Sequence, residues 1–457
     1  MEEKGKKLGM LHISMLSIGA AIGTGIFMML GPSIAHTGRS IVLVCAIDCV
    51  LMLLSVWYTL AFSSMFVLPG GTYDMRAMAL PPVLSGVSAW FQVAGVFVLA
   101  GHSITITEFA AILWPQINEF KSLFAIIVLT VTYLCTIRGS RVLTIIQNLT
   151  VYALIGALAL FLFFGIPQVD PATFFSNSDG DFWAGGTSGF IAGMSTLCFA
   201  CSGTSAQAAM GPVTNRPKRN IPLASVVAVI VVAIVYCLMA YVASGVLPFE
   251  QIAGQNISAT AQVIMPRWGF LVFTVGGGIF AVASTMLAVV AGSKYPIMRV
   301  AEDGWIPSAF LKTTKSGYPW VTYLVMYVVG IIPLVSGLDI ESIVSNVMIP
   351  TMILNVFLNF YCVRLPKLYP EQWKKRGVRF PLPLWNIFST VGGIVSIFIV
   401  CILFTNLNTR GVILCIGELL VLFALTFVSL KKKWVTPERL NTSKQAILEK
   451  SLSSDID

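Results

Sequence analysis

Long apolar segments recur along almost the whole chain and constrain its fold more than any other feature. The 457 residues are 56% hydrophobic and only 11% charged, whereas soluble proteins carry about 25% charged residues. A helix crosses the hydrocarbon core of a bilayer with about 20 consecutive apolar residues. The pattern therefore predicts an all-α membrane protein that crosses the bilayer many times.

The apolar segments predict twelve transmembrane helices, which we number as spans 1 to 12. Their predicted bounds are 12–38, 41–67, 82–114, 121–137, 142–166, 186–210, 221–247, 267–296, 319–337, 341–364, 384–405 and 409–430. An even number of crossings places both termini on the same side of the membrane.

The basic residues predict which side that is. All but four of the 29 lysine and arginine residues lie near the termini or in loops on the same side; the exceptions are Arg39, Lys121, Arg267 and Arg410. Cytoplasmic loops carry such an excess of basic residues. We therefore predict a multi-pass protein of the cytoplasmic membrane with both termini in the cytoplasm. Because this distribution explains the net charge of +9, nucleic acid is not an expected partner.

The chain is expected to divide into three parts, with no inserted soluble domain. Residues 1–11 form a cytoplasmic N-terminal segment, residues 12–430 the twelve-helix domain, and residues 431–457 a cytoplasmic tail. We expect the short, polar tail to be disordered; a small cytoplasmic plug is the alternative. The large domain contains two halves of five spans and two added helices, at about 12–166, 186–364 and 384–430.

Glycine is concentrated in the middle of span 1. Residues 18–32 read IGAAIGTGIFMMLGP and include Gly19, Gly23 and Gly25. Each glycine costs a helix interior about 1 kcal/mol relative to alanine. Unwound backbone at membrane depth is tolerated only where it is buried or lines a cavity. We therefore predict a break in this helix at a central site, with close helix packing as the alternative.

Span 6 carries a second cluster of small and polar residues, Cys201-Ser202-Gly203-Thr204. Spans 1 and 6 occupy corresponding places in the two five-span halves. Interrupted helices in such places are typical of inverted repeats with a binding site between them. The sequence thus predicts a five-plus-five inverted repeat with discontinuous helices 1 and 6.

Five motifs resemble those of the amino acid–polyamine–organocation superfamily of transporters. They are GAAIGTGIF in span 1 and the segments 69–73, 199–203, 215–222 and 293–307, in the same order as in that family. The resemblance covers about residues 9–430. It implies the inverted-repeat fold and the movement of amino acids or small amines by alternating access.

Two departures from the family pattern bear on the mechanism. Leu154 stands where many relatives have a lysine that replaces a sodium ion, which puts that form of coupling in doubt. Thr204 stands where some relatives place an aromatic gate. The resemblance therefore implies a roomier or differently gated pocket.

The two predicted breaks would supply a binding site for an amino acid. Both charges of the substrate need new partners once they lose water. Amides of the first break would receive the carboxylate, and carbonyls of both breaks would accept hydrogen bonds from the ammonium. The predicted substrate-binding residues are Ile22, Gly23, Thr24, Gly25, Ile26, Phe199, Cys201, Ser202, Gly203 and Thr204.

Four ionisable residues lie well inside the predicted spans, away from the span ends: Asp48, His102, Glu108 and Glu418. Such residues are costly in a membrane and are functional candidates by default. His102 and Glu108 share span 3 but are six residues apart, and about 600° of rotation puts them on different faces. We expect them to act in coupling or selectivity, with hydrogen-bonded core residues as the alternative.

The sequence therefore predicts a secondary active transporter of amino acids or related amines, working as an exchanger or a proton-coupled symporter. A polyamine or organic-cation carrier is one alternative, and a non-transporting amino-acid sensor is another. No P-loop, HExxH or GxSxG motif occurs, so we expect no enzyme, no cofactor and no metal site. The expected partners are the substrate, the lipid bilayer and protons in the case of symport; the sequence leaves the oligomeric state open.

Overall fold

The computed structural model describes residues 8–137, 140–203, 208, 210, 211, 213–314 and 318–453. Within these residues the chain is helical and contains no β-strand; a single backbone bridge joins Leu8 to Thr214. The predicted helical class is confirmed.

Ten helices make up the first part of the chain. They are α1 (Met10–Thr37), α2 (Ile41–Ser55), α3 (Trp57–Met65), α4 (Thr72–Ala79), α5 (Pro82–Ala94), α6 (Val98–Leu113), α7 (Lys121–Ile137), α8 (Ser140–Gly165), α9 (Pro171–Phe174) and α10 (Gly186–Ser202).

Twelve further helices follow in the described residues. They are α11 (Pro217–Gly245), α12 (Phe249–Ile252), α13 (Ser258–Ile264), α14 (Arg267–Val272), α15 (Ala281–Glu302), α16 (Trp320–Val335), α17 (Ile340–Cys362), α18 (Leu365–Leu368), α19 (Pro370–Lys374), α20 (Leu382–Thr405), α21 (Thr409–Lys431) and α22 (Pro437–Ser453). A π-helical segment, Phe273–Phe280, joins α14 to α15.

Nine helical segments in the described part of the chain are long and apolar enough to cross a membrane. Trp320–Val335 is apolar but has only 16 residues, and α10 has 17. These shorter helices account for part of the difference from the predicted twelve spans. The count of twelve and the inverted repeat therefore stay predictions.

The predicted break in helix 1 is wrong. α1 runs without interruption from Met10 to Thr37, through Gly23, Thr24 and Gly25. An unbroken helix satisfies its mid-helix amides and carbonyls internally, which matters most where water is excluded. The alternative that the sequence left open applies instead: the glycines allow close contact with neighbouring helices.

The sixth helix does end inside its predicted break. α10 stops at Ser202, and Gly203 follows it with a helical backbone, φ −61° and ψ −17°. The last four carbonyls of an α-helix lack partners within the helix. Thr204 lies outside the described residues.

A break that the sequence did not predict divides span 2. α2 ends at Ser55 and α3 begins at Trp57. Asn359 of α17 satisfies the backbone at this point, because its Nδ2 donates to the Ser55 carbonyl at 2.7 Å and its Oδ1 accepts from the Tyr58 amide at 3.0 Å. Asn359 is fully buried, so a side chain on another helix stabilises the interruption.

The two ends of the described chain lie on one face of the helical bundle, which we call the terminal face. The amide of Leu8 donates to the Val213 carbonyl at 2.9 Å. At the other end of the chain, the Val67 amide donates to the Ser451 hydroxyl oxygen at 3.0 Å. Gly211 packs against Val67, which joins these two contacts.

Residues 437–453 of the C-terminal tail form a helix, α22. The expectation of a disordered tail is therefore wrong for these residues. Asp303, at the end of α15, holds this helix: its Oδ1 accepts from the Ser443 hydroxyl at 2.6 Å. Its Oδ2 accepts from the Tyr73 hydroxyl of α4, also at 2.6 Å. Ile447 and Ser451 of α22 are buried, so they mark the face by which this helix packs onto the protein. One carboxylate therefore ties α4, α15 and α22 together.

A second buried acid lies beside this connection. Burial raises the pKa of Asp74 to about 6, although its Oδ2 accepts from the Gly70 amide at 2.7 Å and its Oδ1 lies 3.5 Å from Nε of Arg299. The negative charge of Asp74 is therefore present above about pH 6 and lost below it. Its ion pair with Arg299 weakens as the pH falls through that value.

We predict that Ser443→Ala loosens α22. The substitution removes a hydrogen bond to a charged group, worth about 1.5–3 kcal/mol, so amide hydrogen exchange in 437–453 should accelerate roughly tenfold or more. Thr442→Ala is the matched control, because Thr442 bonds only to the Glu438 carbonyl of its own helix. Equal exchange in both variants would contradict the role of Asp303 as the anchor.

We also predict that Asn359→Leu destabilises the protein more than Asn346→Leu. The first change leaves two buried backbone groups of the α2–α3 break without partners, at about 1–3 kcal/mol for each group. The Nδ2 of Asn346 donates to the Ser342 carbonyl of the same helix. Thermal unfolding in detergent measures the difference, and similar losses in Tm would argue against a structural role for Asn359 at the break.

Candidate functional site

Gly25 marks the closest approach of α1 to α10. A Cβ placed on Gly25 would lie 2.7 Å from Cα and 2.8 Å from Cβ of Ala200, and would also meet the Tyr236 hydroxyl. No side chain fits into this space. Small residues at a helix interface allow backbones to approach in this way.

Gly23 makes an equally close contact on another side of α1. A Cβ there would collide with Oγ1 of Thr285 and lie 3.0 Å from the Ala281 carbonyl oxygen, both on α15. Two residues correspond to about 200° of helix rotation, so Gly23 and Gly25 face nearly opposite directions. α1 is therefore held between α10 and α15.

Tyr236 of α11 joins α1 to α10 by hydrogen bonds. Its hydroxyl lies 2.7 Å from the carbonyl oxygen of Ala21 and 3.0 Å from that of Ala200, and donates to this pair. Tyr236 is fully buried. Sequence reasoning missed this residue, since a single tyrosine in an apolar helix gives no signal of its partners.

The remaining predicted binding residues lie around this contact. Ile22 and Ile26 are buried, while Phe199 is half-buried. The Ser202 hydroxyl donates to the Phe199 carbonyl at 2.7 Å, and Gly203 follows the last residue of α10. The structure thus brings the predicted parts of α1 and α10 together. It describes the backbone of Thr24 but not its side chain.

The two ends of an amino acid would meet different conditions here. The amides of 24–26 lie in the middle of an unbroken helix, where each amide bonds to the carbonyl four residues earlier. The expected carboxylate site made of free amides is therefore absent from the described α1. The carbonyl end of α10 carries partial negative charge, and it remains suited to an ammonium group.

His102 and Glu108 of α6 do not form a pair. The Nδ1 of His102 lies 2.6 Å from the Val98 carbonyl of its own helix, and the residue is only 1% exposed. Glu108 is half-buried and lies one and a half turns further along α6. For His102, this geometry matches the hydrogen-bonded core imidazole that was the alternative to a functional role.

Asp48 lies among cysteines of α2 and α10. Cys49 and Cys201 place their Sγ atoms 3.4 Å apart. Asp48 is 1% exposed, and its Oδ2 has no hydrogen-bond partner among the described residues. The described part of the chain contains no group of three or more histidine, cysteine, aspartate or glutamate residues arranged to hold a metal ion.

An aromatic cluster packs one turn beyond Gly23, between α1, α6 and the π-helical segment. The ring of Phe27 lies 5.8 Å from that of Phe109 and 5.6 Å from that of Phe273. All three rings are buried. Gly277 and Gly278 make room for them, since a Cβ at either glycine would meet Phe27 or Phe109. The cluster fills the space between α1, α6 and the π-helical segment on that side.

A small cavity, open to solvent, lies one helical turn from the Gly25–Ala200 contact, away from the terminal face; we call it the outer cavity. Its wall includes Met29 of α1, four residues after Gly25, and Thr196 of α10, four residues before Ala200. Asp339 and Glu341, at the start of α17, complete one side. The α1–α10 contact therefore has a polar cavity directly beside it.

Comparison with known proteins identifies several transporters that this chain resembles. It is 25% identical to the methylthioribose transporter of Bacillus subtilis, over 68% of this chain and 70% of that protein. It is 23% identical to a branched-chain amino acid permease of Bacillus subtilis, over 69% of this chain and 71% of that protein. It is 25% identical to a D-serine/D-alanine/glycine transporter of Escherichia coli, over 67% and 68% of the two chains.

The family assignment covers nearly the whole chain. Residues 8–430 match a family model described as amino acid permease. That range includes α1, α10, the outer cavity and the motifs by which the sequence resembles the amino acid–polyamine–organocation superfamily. Together with the apolar helices, the match makes this a multi-pass membrane protein, and the chain belongs to the amino acid permease family.

Proposed function

We propose that the protein is a secondary active transporter that carries amino acids or related amines across the cytoplasmic membrane by alternating access. The observation that carries this proposal is the α1–α10 contact: α10 ends at Ser202 deep in the bundle, close to where Gly25 meets Ala200. A helix end inside a membrane protein is tolerated where it is buried or lines a cavity. The outer cavity lies one helical turn from this contact.

The carbonyl end of α10 is the part of the site that we assign to the substrate ammonium. Phe199 and Ser202 lie in the last turn of α10 as the structure describes this helix. Their carbonyls carry the partial negative charge of a helix C-terminus. Ile22, Gly23, Thr24, Gly25, Ile26, Cys201, Gly203 and Thr204 complete the proposed site, with α1 shaping its wall.

Alternating access requires the contacts around α1 to rearrange. On the terminal face, the network of Tyr73, Asp303 and Ser443 closes the space between α4, α15 and α22. On the other side, Phe27 and its aromatic partners fill the space between α1, α6 and the π-helical segment. We infer that these two barriers open in turn.

Both termini are proposed to lie in the cytoplasm. The concentration of basic residues on one side supports this orientation, and Leu8 and α22 lie on the same face of the bundle. Twelve spans and a five-plus-five repeat remain part of the proposal. Leu154 stands where many relatives have a lysine that replaces a sodium ion. The presence of Leu154 supports exchange, or proton symport through His102 or Glu108.

A carrier of polyamines or organic cations is the second candidate. A second cationic group on a substrate needs a carboxylate, and Asp339 and Glu341 line the outer cavity. A sensor that binds without transport would differ from both candidates by the absence of flux.

We predict that Gly25→Ala abolishes uptake in proteoliposomes. Even one methyl group would collide with Ala200 and with the Tyr236 hydroxyl, so the drop should be at least tenfold. Gly292→Ala is the matched control, since a Cβ on that glycine meets no atom within 4 Å. Size-exclusion profiles of the purified variants separate lost transport from lost folding. Normal uptake with unchanged affinity in a folded Gly25→Ala protein would remove this contact from the site.

A second test defines the coupling. We expect a panel of labelled amino acids and amines to enter liposomes by exchange for internal substrate, or to accumulate under an inward pH gradient. If accumulation follows the gradient, His102→Gln or Glu108→Gln should remove it while leaving counterflow intact. Full accumulation in both variants would exclude these residues as coupling groups, and binding without any flux would favour a sensor.

A further inference from the structure

The outer cavity is acidic on one side. Asp339 and Glu341 lie on its wall, and none of the described residues that line it is lysine or arginine. Asp339 caps α17: its Oδ1 accepts from the Ser342 hydroxyl at 2.7 Å and its Oδ2 from the Ser342 amide at 3.2 Å. A carboxylate has about four acceptor positions, so Asp339 keeps capacity for a ligand.

The helix that carries these acids does not neutralise them. The N-terminus of α17 contributes the equivalent of about half a positive charge, against two carboxylates. Glu341 has a distant neighbour in His36, whose Nε2 lies 3.9 Å from Oε1. Arg410, at the start of α21, directs its guanidinium to the Ser336 carbonyl at 3.4 Å. The cavity therefore favours a cation.

Two serine hydroxyl groups in the cavity wall have no hydrogen-bond partner among the residues that the structure describes. Ser195 of α10 is 3% exposed and Ser345 of α17 is 9% exposed, and both line the cavity. Neither hydroxyl bonds to another described residue. A donor bound in the cavity would give each hydroxyl a hydrogen-bond partner.

The same face of α17 presents an acid and one of these hydroxyls. Glu341 and Ser345 are four residues apart, so their side chains lie one above the other. Ser195 of α10 lines the same cavity. One carboxylate and two hydroxyl oxygens thus surround a single space, and all three can accept hydrogen bonds from the same group.

An organic ammonium fits this set of groups better than the other candidates. It has three N–H donors and one positive charge. A zwitterionic amino acid would bring its own carboxylate close to Asp339 and Glu341, so it would bind there more weakly than a net-positive amine.

We propose that the outer cavity is a separate binding site for a small, net-positive primary amine, with Glu341 as its charge partner and Ser195 and Ser345 as acceptors. Ser195 is seven residues before Ser202, about 10 Å along α10. A four-carbon diamine therefore occupies the outer cavity in addition to the central contact rather than extending from it. Binding of the amine does not depend on the proposed function. A role of this site in transport does.

Calorimetric titration of the purified full-length protein with 1,4-diaminobutane, at fixed ionic strength, tests the site. The parent should bind the diamine, Glu341→Gln should bind it about tenfold more weakly, and Ser195→Ala with Ser345→Ala should weaken binding several-fold. Glu250→Gln is the matched control, because this exposed acid lies outside the cavity and should leave affinity unchanged. Uncharged 1,4-butanediol should not bind.

Three results would overturn the assignment. They are equal diamine affinity in the parent and in folded Glu341→Gln protein, equal binding of the diol, and displacement of the diamine by calcium chloride at matched ionic strength, which would indicate a metal site instead. If Glu341→Gln does not fold, the serine variants decide, and unchanged affinity in both overturns the site.

Comparison with flux separates this inference from the proposed function. Binding that depends on Glu341 in a protein that transports no member of the panel would refute the transporter and keep the site. Uptake with diamine binding unaffected by Glu341→Gln would keep the transporter and refute the site. Gly25→Ala should lose uptake yet bind the diamine normally, because the outer cavity lies a full turn from that contact.

Discussion

The hydroxyl group of Tyr236 lies where three helices meet, and the arrangement of the candidate site depends on it. It reaches the carbonyls of Ala21 and Ala200 at the point where Gly25 lets α1 and α10 touch. With water excluded, a hydrogen bond to a backbone carbonyl has few competitors. The bond fixes the distance between α1 and α10, and so positions the end of α10 and the cavity beside it.

At Gly23 and Gly25 the sequence predicted a helix break, whereas the structure has an unbroken helix. Glycine is required both where a helix unwinds and where two backbones come within reach of each other, so the pattern alone could not separate these outcomes. Which one occurs depends on Thr285, Ala200 and Tyr236, and their positions are not visible from the local sequence. In span 6 the small polar residues did mark a helix end, since α10 stops at Ser202.

Structural features that depend on residues distant in the chain could not be predicted from the local sequence. Nothing in residues 41–67 predicts the interruption between α2 and α3, because the group that stabilises it is the amide side chain of Asn359. α22 likewise has a polar composition typical of a loose tail, yet it docks through Ser443 onto Asp303. The helical class, most of the spans and the family motifs were predictable because apolar length and residue order are local properties. The binding residues and the outer cavity remain proposals.

The two opposite contacts of α1 also bear on how the chain is assembled. Tyr236 is 215 residues from Ala21 in sequence, and Thr285 follows later still. During synthesis the N-terminal helix is made first, and long-range contacts form only after their partners have been made. Until then, the bare backbone at Gly23 and Gly25 faces lipid on both sides. α1 therefore enters the membrane at the beginning of biogenesis and acquires its final neighbours only after α15 has been inserted.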